Sequence, residues 1–183
     1  MSRRFDITPT PLPGVTLVTR KPVGDHRGFF ERVFCISDLG PLLHGKFVVQ
    51  INRTSTNTSG CIRGMHFQHP PHAEMKIVSC LHGKVFDVVV DLRQDSPTYL
   101  KWHGEILSGD NHKTLVVPEG IAHGFQTLTG DCEMLYLHTA AYCPEAEDGV
   151  NPQDPALAIA WPLPISEISE KDRSRPLLPI PHP

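Results

Sequence analysis

Short runs of apolar, β-branched and aromatic residues recur along the chain, and Gly, Pro, Asp or Asn bounds each run. Such runs predict β-strands, because branched and aromatic side chains pack well on a pleated surface and the bounding residues favour turns. Helical periodicity is weak and predicts only one short helix, near residues 36–42. The predicted strands are VTLVTR, GFFERVF, KFVVQINRT, IRGMHF, MKIVSC, KVFDVVVDL, WHGEIL, KTLVV, HGFQTL and CEMLYLHTA.

Many short strands separated by turns are typical of a barrel or of a jelly roll made of two packed sheets. The 18 prolines in 183 residues favour this architecture over long helices. No internal repeat or linker divides the chain. We therefore predict an all-β fold with short peripheral helices in a single domain, residues 1–183. Its core spans about 15–162, and an irregular tail, 163–183, wraps the barrel.

Alternation along the strands sorts the polar residues, because successive side chains of a strand point to opposite faces of the sheet. In IRGMHF the side chains of His66 and Gln68 share a face. Lys76 begins the face that continues along MKIVSC, and Tyr136 and His138 share a face of CEMLYLHT. An imidazole, an ammonium and a phenol can therefore converge inside the barrel.

Composition excludes several kinds of protein. The net charge of −3 does not provide the basic surface that nucleic-acid binding requires. No segment approaches the roughly 18 consecutive apolar residues of a membrane helix, and no signal-peptide core follows the start. The five cysteines are widely spaced and include no C-x-x-C pair. They are typical of reduced thiols in a cytoplasmic protein.

Two stretches resemble the motifs of cupin barrels. His66-Phe67-Gln68, then Lys76 and Gly83, follow the spacing of the first motif, G-x5-H-x-H-x3–4-E-x6-G, and residues 118–123 match the second, P-x-G-x2-H. In metal-binding cupins, histidines and a glutamate of these motifs hold the ion. Here Gln68 replaces a histidine and Lys76 replaces the glutamate. An ammonium has no lone pair to offer a metal, so we expect no metal site.

Longer matches identify a family. The stretches DHRGFF, NRTSTNTSGCIRGMHFQHPPHAEMK, GKVFDVVVDLRQDSPTY, PEGIAHGFQTL, EMLYLHTAAYCPEAE and ISEKD are similar to the dTDP-4-dehydrorhamnose 3,5-epimerase family, in order, from about residue 5 to 175. The resemblance implies a double-stranded β-helix that works without a cofactor on a nucleotide-linked 4-keto-6-deoxyhexose. It also implies a homodimer in which the N-terminal strand bearing Arg27 reaches the partner's cavity.

The chemistry of such a reaction needs few groups. A hydrogen beside a ketone is acidic because the charge left behind spreads onto the carbonyl oxygen. A site for its removal therefore needs a base, a positive charge for the oxyanion and an acid on the opposite face. The resemblance assigns His66 as base, Lys76 as oxyanion stabiliser and Tyr136 as acid, with Asp172 orienting His66. Tyr142 competes with Tyr136 for the acid role.

The resemblance also implies residues that bind the substrate. Arginine forks suit the diphosphate, but alternation places Arg63 opposite to His66, so its role requires a local bulge or a position at the strand end. Where the family usually carries a glutamate for the nucleoside, this chain has Arg32, with Glu31 one residue earlier. The nucleotide and the inverted carbon, carbon 3, carbon 5 or both, stay open. The expected substrate-binding residues are Arg27, Gln50, Asn52, Arg63, His123, Tyr142 and Lys171.

Two other functions fit the barrel. One is a metal-dependent cupin enzyme that uses His66, His69 or His72, and His123. The other is a non-catalytic sugar-binding protein. The remaining histidines are expected on the surface or in loops, and they are His69, His72, His82, His103, His112 and His138.

Overall fold

The computed structural model describes residues 4–178. Its strands, numbered in chain order, are β1 Phe5–Pro9, β2 Thr16–Arg20, β3 Val23–Asp25, β4 Gly28–Phe30, β5 Gln50–Thr56, β6 Cys61–Gln68, β7 Lys76–His82, β8 Lys84–Asp91, β9 Trp102–Ser108, β10 Lys113–Val117, β11 Ile121–Thr127, β12 Cys132–His138, β13 Glu147–Gly149 and β14 Glu167–Ile168. The helical segments are α1 Ile36–Leu39, a 3-10 turn Gly40–Leu43 and α2 Glu170–Arg173.

Two sheets form the barrel. The first has the strand order β1-β2-β10-β7-β12-β5, and the second has the order β13-β6-β11-β8-β9, with β14 added in parallel beside β6. All other pairings are antiparallel, and β3 and β4 form a separate hairpin. Except for β1–β2 and β8–β9, the neighbours along these two orders are not consecutive in sequence, as a double-stranded β-helix requires. The predicted all-β jelly roll with short peripheral helices is confirmed.

The interior between the sheets holds the main apolar core. Val78 and Cys80 of β7 share the face of Lys76, as alternation predicts, and both are buried. They pack in one cluster with Val89, Phe125 and Met134 of the neighbouring strands. Burial of each large apolar side chain contributes about 1.5–3 kcal/mol. This apolar core fills one part of the barrel interior. The polar residues on the inward faces of the same strands line a cavity in the other part.

Irregular segments cover the outer faces of both sheets. Leu39 and Leu43 of the helical segments pack in one buried cluster with Ile77, on the outer face of the first sheet. On the second sheet, Leu157 and Trp161 join a cluster with Met65. The tail from 163 then adds β14 and α2 to β6, up to the last described residue. Residues 179–183 of the predicted tail lie outside the described residues, and the division into core and tail stays a prediction.

Two predicted strands are shorter than the sequence pattern suggests. GFFERVF forms a strand only at Gly28–Phe30, and KFVVQINRT pairs as a strand only from Gln50. The hairpin buries no face of its own, and isolated two-stranded hairpins are marginal. Beyond Phe30, Glu31 lies 3.3 Å from Arg20 and 2.7 Å from His112, which turns the chain toward the barrel.

Strand β6 contains the bulge that Arg63 requires. Its register with β11 shifts between the pairs His123–His66 and Phe125–Arg63, so the alternation skips one position. Gly64 has a φ of +132°, and a Cβ there would lie 2.5 Å from the Cα of Gly124. Glycine is needed for this close approach. The bulge brings Arg63 and His66 to the same side of the sheet.

Candidate active site

A cavity of about 420 Å³ opens between the two sheets. The strands that alternation singled out supply its walls, and α2 from the tail closes one side. The hypothesis that an imidazole, an ammonium and a phenol converge is therefore correct as geometry. The predicted site residues that line the cavity are Asn52, Arg63, His66, Lys76, His123, Tyr136, Tyr142, Lys171 and Asp172.

Two predicted residues lie off the cavity wall. The side chain of Gln50 donates to Asn52 Oδ1 at 3.2 Å and accepts from the backbone N–H of Tyr142 at 3.0 Å, so it supports wall residues. Arg27 lies on the β3–β4 hairpin, with 78% of its side chain exposed. It binds Asp25 of the same turn, with Nη2 and Oδ2 2.6 Å apart. Within one chain, Arg27 is separate from the cavity residues.

His66 and Asp172 form a carboxylate–imidazole dyad. His66 Nε2 lies 2.6 Å from Asp172 Oδ1, and the backbone N–H of Gly64 donates to Asp172 Oδ2 at 3.3 Å. Ser169 caps α2 by accepting the N–H of Asp172 at 3.1 Å, which fixes the carboxylate.

Burial raises the pKa of Asp172, but the hydrogen bond and the charge of His66 outweigh it and leave the pKa lowered. An ionised Asp172 holds the N–H of Nε2 and leaves Nδ1 of His66 free to act as a base.

Lys76 places an ammonium in the cavity with only 7% of the residue exposed. Its Nζ donates to the backbone carbonyl of His66 at 3.0 Å and lies 3.2 Å from Glu74 Oε1. The contact crosses from the first sheet to the second and fixes the ammonium beside the dyad. A positive charge held in a partly desolvated site stabilises an oxyanion more strongly than it could in water.

The two candidate tyrosines occupy different environments. Tyr136 belongs to the first sheet, opposite His66, and burial raises its pKa. Tyr142 is 54% exposed, and its hydroxyl donates to Glu147 Oε2 at 2.8 Å. That hydrogen bond is the largest cause that raises the pKa of Tyr142. Both phenols keep their proton at neutral pH, but the proton of Tyr142 is engaged by a carboxylate.

His123 is buried and bound by a second aspartate. Its Nε2 lies 3.0 and 2.9 Å from the two oxygens of Asp87, and the ring centroid lies 6.0 Å from that of Tyr136. Burial raises the pKa of Asp87, and the charge and hydrogen bond of His123 oppose this. This pair presents the imidazole edge to the cavity and packs beside the phenol.

Gln68, which stands where a metal-binding cupin has a histidine, is a structural brace. Its Nε2 donates to the carbonyls of His72 and Ala141 at 2.9 and 3.2 Å, and its Oε1 accepts the N–H of Cys143 at 2.7 Å. The amide thus ties two loops to β6. Among residues 4–178, no group of three or more His, Cys, Asp or Glu side chains is arranged to hold a metal ion.

Several cavity residues were not predicted from the sequence, among them His138, Glu74 and Glu147. The prediction that His138 lies on the surface or in a loop is wrong. His138 lies on β12 and lines the cavity, with 12% of its side chain exposed. His112 lies in the loop between β9 and β10, as expected, where it contacts Glu31 with 21% of its side chain exposed. Alternation with Tyr136 was the signal for His138. Glu74 and Glu147 also line the cavity, but both come from segments between predicted strands, where alternation gives no guide.

The fold and site together define a cupin-like barrel whose cavity carries acid–base groups. Its carboxylate–imidazole dyad and its partly buried phenol come from opposite sheets, and an ammonium lies in the same cavity. Among the described residues, no helix is long and apolar enough to cross a membrane.

Comparison with known proteins identifies the family. The family model for dTDP-4-dehydrorhamnose 3,5-epimerase matches residues 9–179, and the chain belongs to this family. The dTDP-4-dehydrorhamnose 3,5-epimerase of Salmonella typhimurium is 39% identical over 170 residues, which cover 92% of this chain and 93% of the relative. The resemblance seen in the sequence is confirmed.

Two solved structures share the fold. The dTDP-4-dehydrorhamnose 3,5-epimerase of Bacillus anthracis, with TDP and PPi bound, has a TM-score of 0.91 and 40% identity, covering 95% of this chain and 99% of the other. The dTDP-6-deoxy-D-glucose-3,5-epimerase of Legionella pneumophila, in complex with dTDP-4-keto-L-rhamnose, has a TM-score of 0.89 and 38% identity, covering 94% and 92%.

Proposed function

We propose that this chain is an epimerase that inverts carbon 3, carbon 5 or both of a dTDP-linked 4-keto-6-deoxyhexose in deoxysugar biosynthesis. One observation carries the proposal. A base held by a buried carboxylate, His66 with Asp172, and a protonated phenol, Tyr136, enter the same cavity from opposite sheets. Inversion requires removal of hydrogen from one face of a carbon and its return to the other.

The reaction begins with the base. His66 removes a hydrogen from a carbon beside the ketone, and Asp172 stabilises the imidazolium that forms. The electron pair moves onto the ketone oxygen and makes an enolate, whose charge the Lys76 ammonium stabilises. Tyr136 then returns a proton from the other face. The substrate's own ketone accepts the electrons, so no cofactor is required.

The surroundings of the tyrosines favour Tyr136 as the acid. Its ring is partly buried and packs against the interior apolar cluster, whereas Tyr142 lies at the exposed mouth with its proton directed to Glu147. Lys171 Nζ shares the same Glu147 oxygen at 2.5 Å, so Tyr142 and Lys171 form one cluster with a carboxylate. We assign that cluster to substrate binding.

A dTDP-sugar fits the charged groups at the mouth. Arg63 lines the cavity; its Nε donates to Thr56 Oγ1 at 3.0 Å and its Nη2 to the backbone carbonyl of Ser55 at 3.5 Å, so Nη1 is the part of the guanidinium proposed to meet the ligand. The solved relatives hold TDP or a dTDP-linked keto sugar. Glu31 contacts Arg20 and His112, and Arg32 lies near Asp38. The nucleoside contact in this chain therefore differs from the one the family pattern implies.

Solvent-hydrogen exchange tests the function. The purified protein, incubated in D₂O with dTDP-4-keto-6-deoxyglucose, should incorporate deuterium beside the ketone and yield an inverted sugar, as followed by NMR. The position of the deuterium reports whether carbon 3, carbon 5 or both react. Prior dialysis against EDTA should leave the rate unchanged. Binding without exchange would support a non-catalytic sugar-binding protein, and loss of activity with EDTA would support a metal enzyme.

We further propose that the protein is a homodimer whose β3–β4 hairpin reaches the partner's cavity. Strand β5 lies at an edge of the first sheet, and three alternate residues at that edge, Phe47, Val49 and Ile51, are 68%, 61% and 62% exposed. Phe29 and Phe30 of the hairpin are 64% and 67% exposed. Exposed apolar residues and open strand edges both mark association surfaces.

Light scattering after size-exclusion chromatography tests the dimer. Ile51→Glu should shift the protein toward monomer and reduce activity, because it places a charge in the proposed interface. Ile7→Glu is the matched control: Ile7 is 48% exposed on β1, at the other edge of the same sheet. It should leave both the mass and the activity unchanged. A wild-type monomer with full activity would exclude the dimer as the working form.

A cytoplasmic location completes the proposal. All five cysteines are free thiols. Three of them, Cys61, Cys80 and Cys132, are buried, and burial raises the pKa of the Cys80 thiol to about 12. Inert, reduced cysteines fit a reducing compartment. Fractionation of cells that produce the protein tests the location.

A further inference from the structure

A second carboxylate–imidazole pair lies on the wall opposite to the His66–Asp172 dyad. Glu74 Oε2 is 2.8 Å from His138 Nδ1, and Glu74 Oε1 is 3.2 Å from Lys76 Nζ. The side chains of Glu74, His138 and Lys76 are 8%, 12% and 9% exposed, so all three are shielded from solvent to a similar degree. The reaction proposed above uses Lys76 but gives neither Glu74 nor His138 a task.

We propose that Glu74 is a positioning residue that keeps the Lys76 ammonium charged and directed into the cavity, and that His138 holds Glu74 in place. This inference rests on the proposed function, because it assigns the group that sustains the oxyanion stabiliser. Glu74 acts through Lys76.

The physical reason is the cost of a buried charge. An ammonium removed from water tends to release its proton unless an anion lies close to it. Glu74 is the carboxylate within ion-pair distance of Lys76 among the described residues. Around the ammonium, β6 contributes the backbone carbonyl and ring of His66, β8 and β11 contribute Asp87 and His123, and β12 contributes Tyr136 and His138.

Asp87 cannot replace Glu74 in this role. Its carboxylate is engaged by His123 at 2.9 Å, and burial raises its pKa. For Glu74, in contrast, the neighbouring groups outweigh burial, and its pKa is lowered. Burial raises this pKa, but the hydrogen bond to His138 and the charge of Lys76 together lower it by more. Glu74 is thus the ionised partner that a catalytic ammonium needs.

His138 fixes the direction of the carboxylate. Its Nδ1 faces Glu74, and its Nε2 lies 3.4 Å from Asn52 Nδ2, so Nδ1 is the nitrogen that donates to Glu74. Gln50 donates in turn to Asn52 Oδ1. The chain of contacts therefore connects the ammonium to Asn52 and Gln50, the polar pair expected to bind substrate.

The pH dependence of the reaction tests the inference. Glu74→Gln keeps the size of the side chain and a hydrogen-bond acceptor but removes the charge. The alkaline limb of its pH–rate profile should move to lower pH by about one unit or more, because an unpaired buried ammonium releases its proton more readily. The loss relative to the wild type should therefore be largest on the alkaline side of the profile and should diminish toward neutral pH. A purely structural role would lower the rate equally at every pH.

Two further variants locate the effect. His138→Asn leaves Glu74 charged but removes the contact that fixes it, so it should shift the alkaline limb in the same direction by less than Glu74→Gln does. Glu145→Gln, which neutralises an exposed glutamate that does not line the cavity, should match the wild type throughout. Should Glu74→Gln fold poorly, Glu74→Asp retains the charge at a greater distance and should give a smaller shift in the same direction.

Labelling of Lys76 provides a readout that does not depend on activity. Acetic anhydride reacts with the uncharged amine, and mass spectrometry of the digested protein gives the labelled fraction of Lys76 at each pH. The Glu74→Gln protein should label at lower pH than the wild type. Unchanged labelling and an unshifted profile would overturn the inference, whereas a wild type that labels as expected but does not exchange substrate hydrogen would overturn only the proposed function.

Discussion

The cavity and the β3–β4 hairpin are built in opposite ways. Around the cavity, the proposed catalytic side chains contact residues from other elements of the fold: Asp172 of α2 binds His66, and the backbone carbonyl of His66 on the second sheet accepts from Lys76 on the first. On the hairpin, the Arg27 side chain is 78% exposed and binds Asp25, two residues away. A single chain therefore brings together the proposed acid–base residues but leaves Arg27 on the surface.

This difference between the cavity and the hairpin separates residues that transfer protons from residues that bind the substrate. Groups that exchange protons must be preorganised, because a small misplacement costs much of the rate. A group that binds phosphate can be brought in by a second subunit, because a charge-assisted contact tolerates more freedom. If this division is correct, changes in the cavity should reduce the chemical step, and changes in the hairpin should reduce substrate binding.

The largest effect should follow loss of the base. His66→Asn should reduce epimerisation and solvent exchange by at least about 10⁴-fold, because no enolate forms without the base. His69→Asn is the matched control, since His69 lies just beyond the same strand, is 56% exposed and contacts Asp148. It should retain wild-type rates. Wild-type exchange by the His66→Asn protein, measured by NMR in D₂O, would falsify the mechanism.

Loss of the orienting carboxylate should cost somewhat less. Asp172→Asn keeps the shape of the side chain but presents an amide donor or a neutral oxygen to His66, so the imidazolium loses its counter-ion and the tautomer changes. We expect a fall of about 10²–10⁴-fold in the turnover number with a small change in KM. Asp148→Asn is the control. A change confined to KM would show that Asp172 supports binding and not the base.

Residues on regular strands could be placed from the sequence, whereas residues in irregular segments could not. Strand alternation predicted the faces of His66, Lys76 and Tyr136, because a barrel interior repeats every second residue. The bulge at Gly64 was required by the position of Arg63, and β6 contains it. Glu74 and Glu147 were missed because they enter the cavity from segments without periodicity. The C-terminal end of β4 was misjudged, because the strand ends at Phe30 and Phe34 packs instead against the buried cluster on the outer face of the first sheet.

An intermediate effect should come from the acid. Tyr136→Phe keeps the ring and removes only the hydroxyl, so the base can still form the enolate. Epimerisation should fall about 10²-fold while deuterium still enters the substrate on the original face. Tyr142→Phe should exchange and invert together, with a higher KM. Parallel measurement of deuterium entry and product stereochemistry checks this. Normal inversion by Tyr136→Phe, with failure of Tyr142→Phe, would transfer the acid role to Tyr142.

The smallest effect should come from the hairpin. Arg27→Ala removes a guanidinium that is exposed in one chain. If this group binds the diphosphate in the partner's cavity, its loss should lower kcat/KM about 10- to 100-fold, mainly through KM, because a charge-assisted hydrogen bond is lost. Lys21→Ala is a suitable control: Lys21 is an exposed basic residue just before the hairpin, paired with Asp6. It should leave kcat/KM unchanged.

Mixing of variants decides whether Arg27 acts across the subunits. A dimer of one Arg27→Ala chain and one His66→Asn chain contains one cavity with an intact His66 that also receives the intact Arg27 of the other chain. Unfolding and refolding the two variants together should therefore restore part of the activity, up to about one half in each mixed dimer. If Arg27 acts within its own chain, each cavity of the mixed dimer carries one defect and the activity stays near that of the Arg27→Ala protein. The KM of the mixture separates the two cases, because restored sites should bind substrate with the wild-type value.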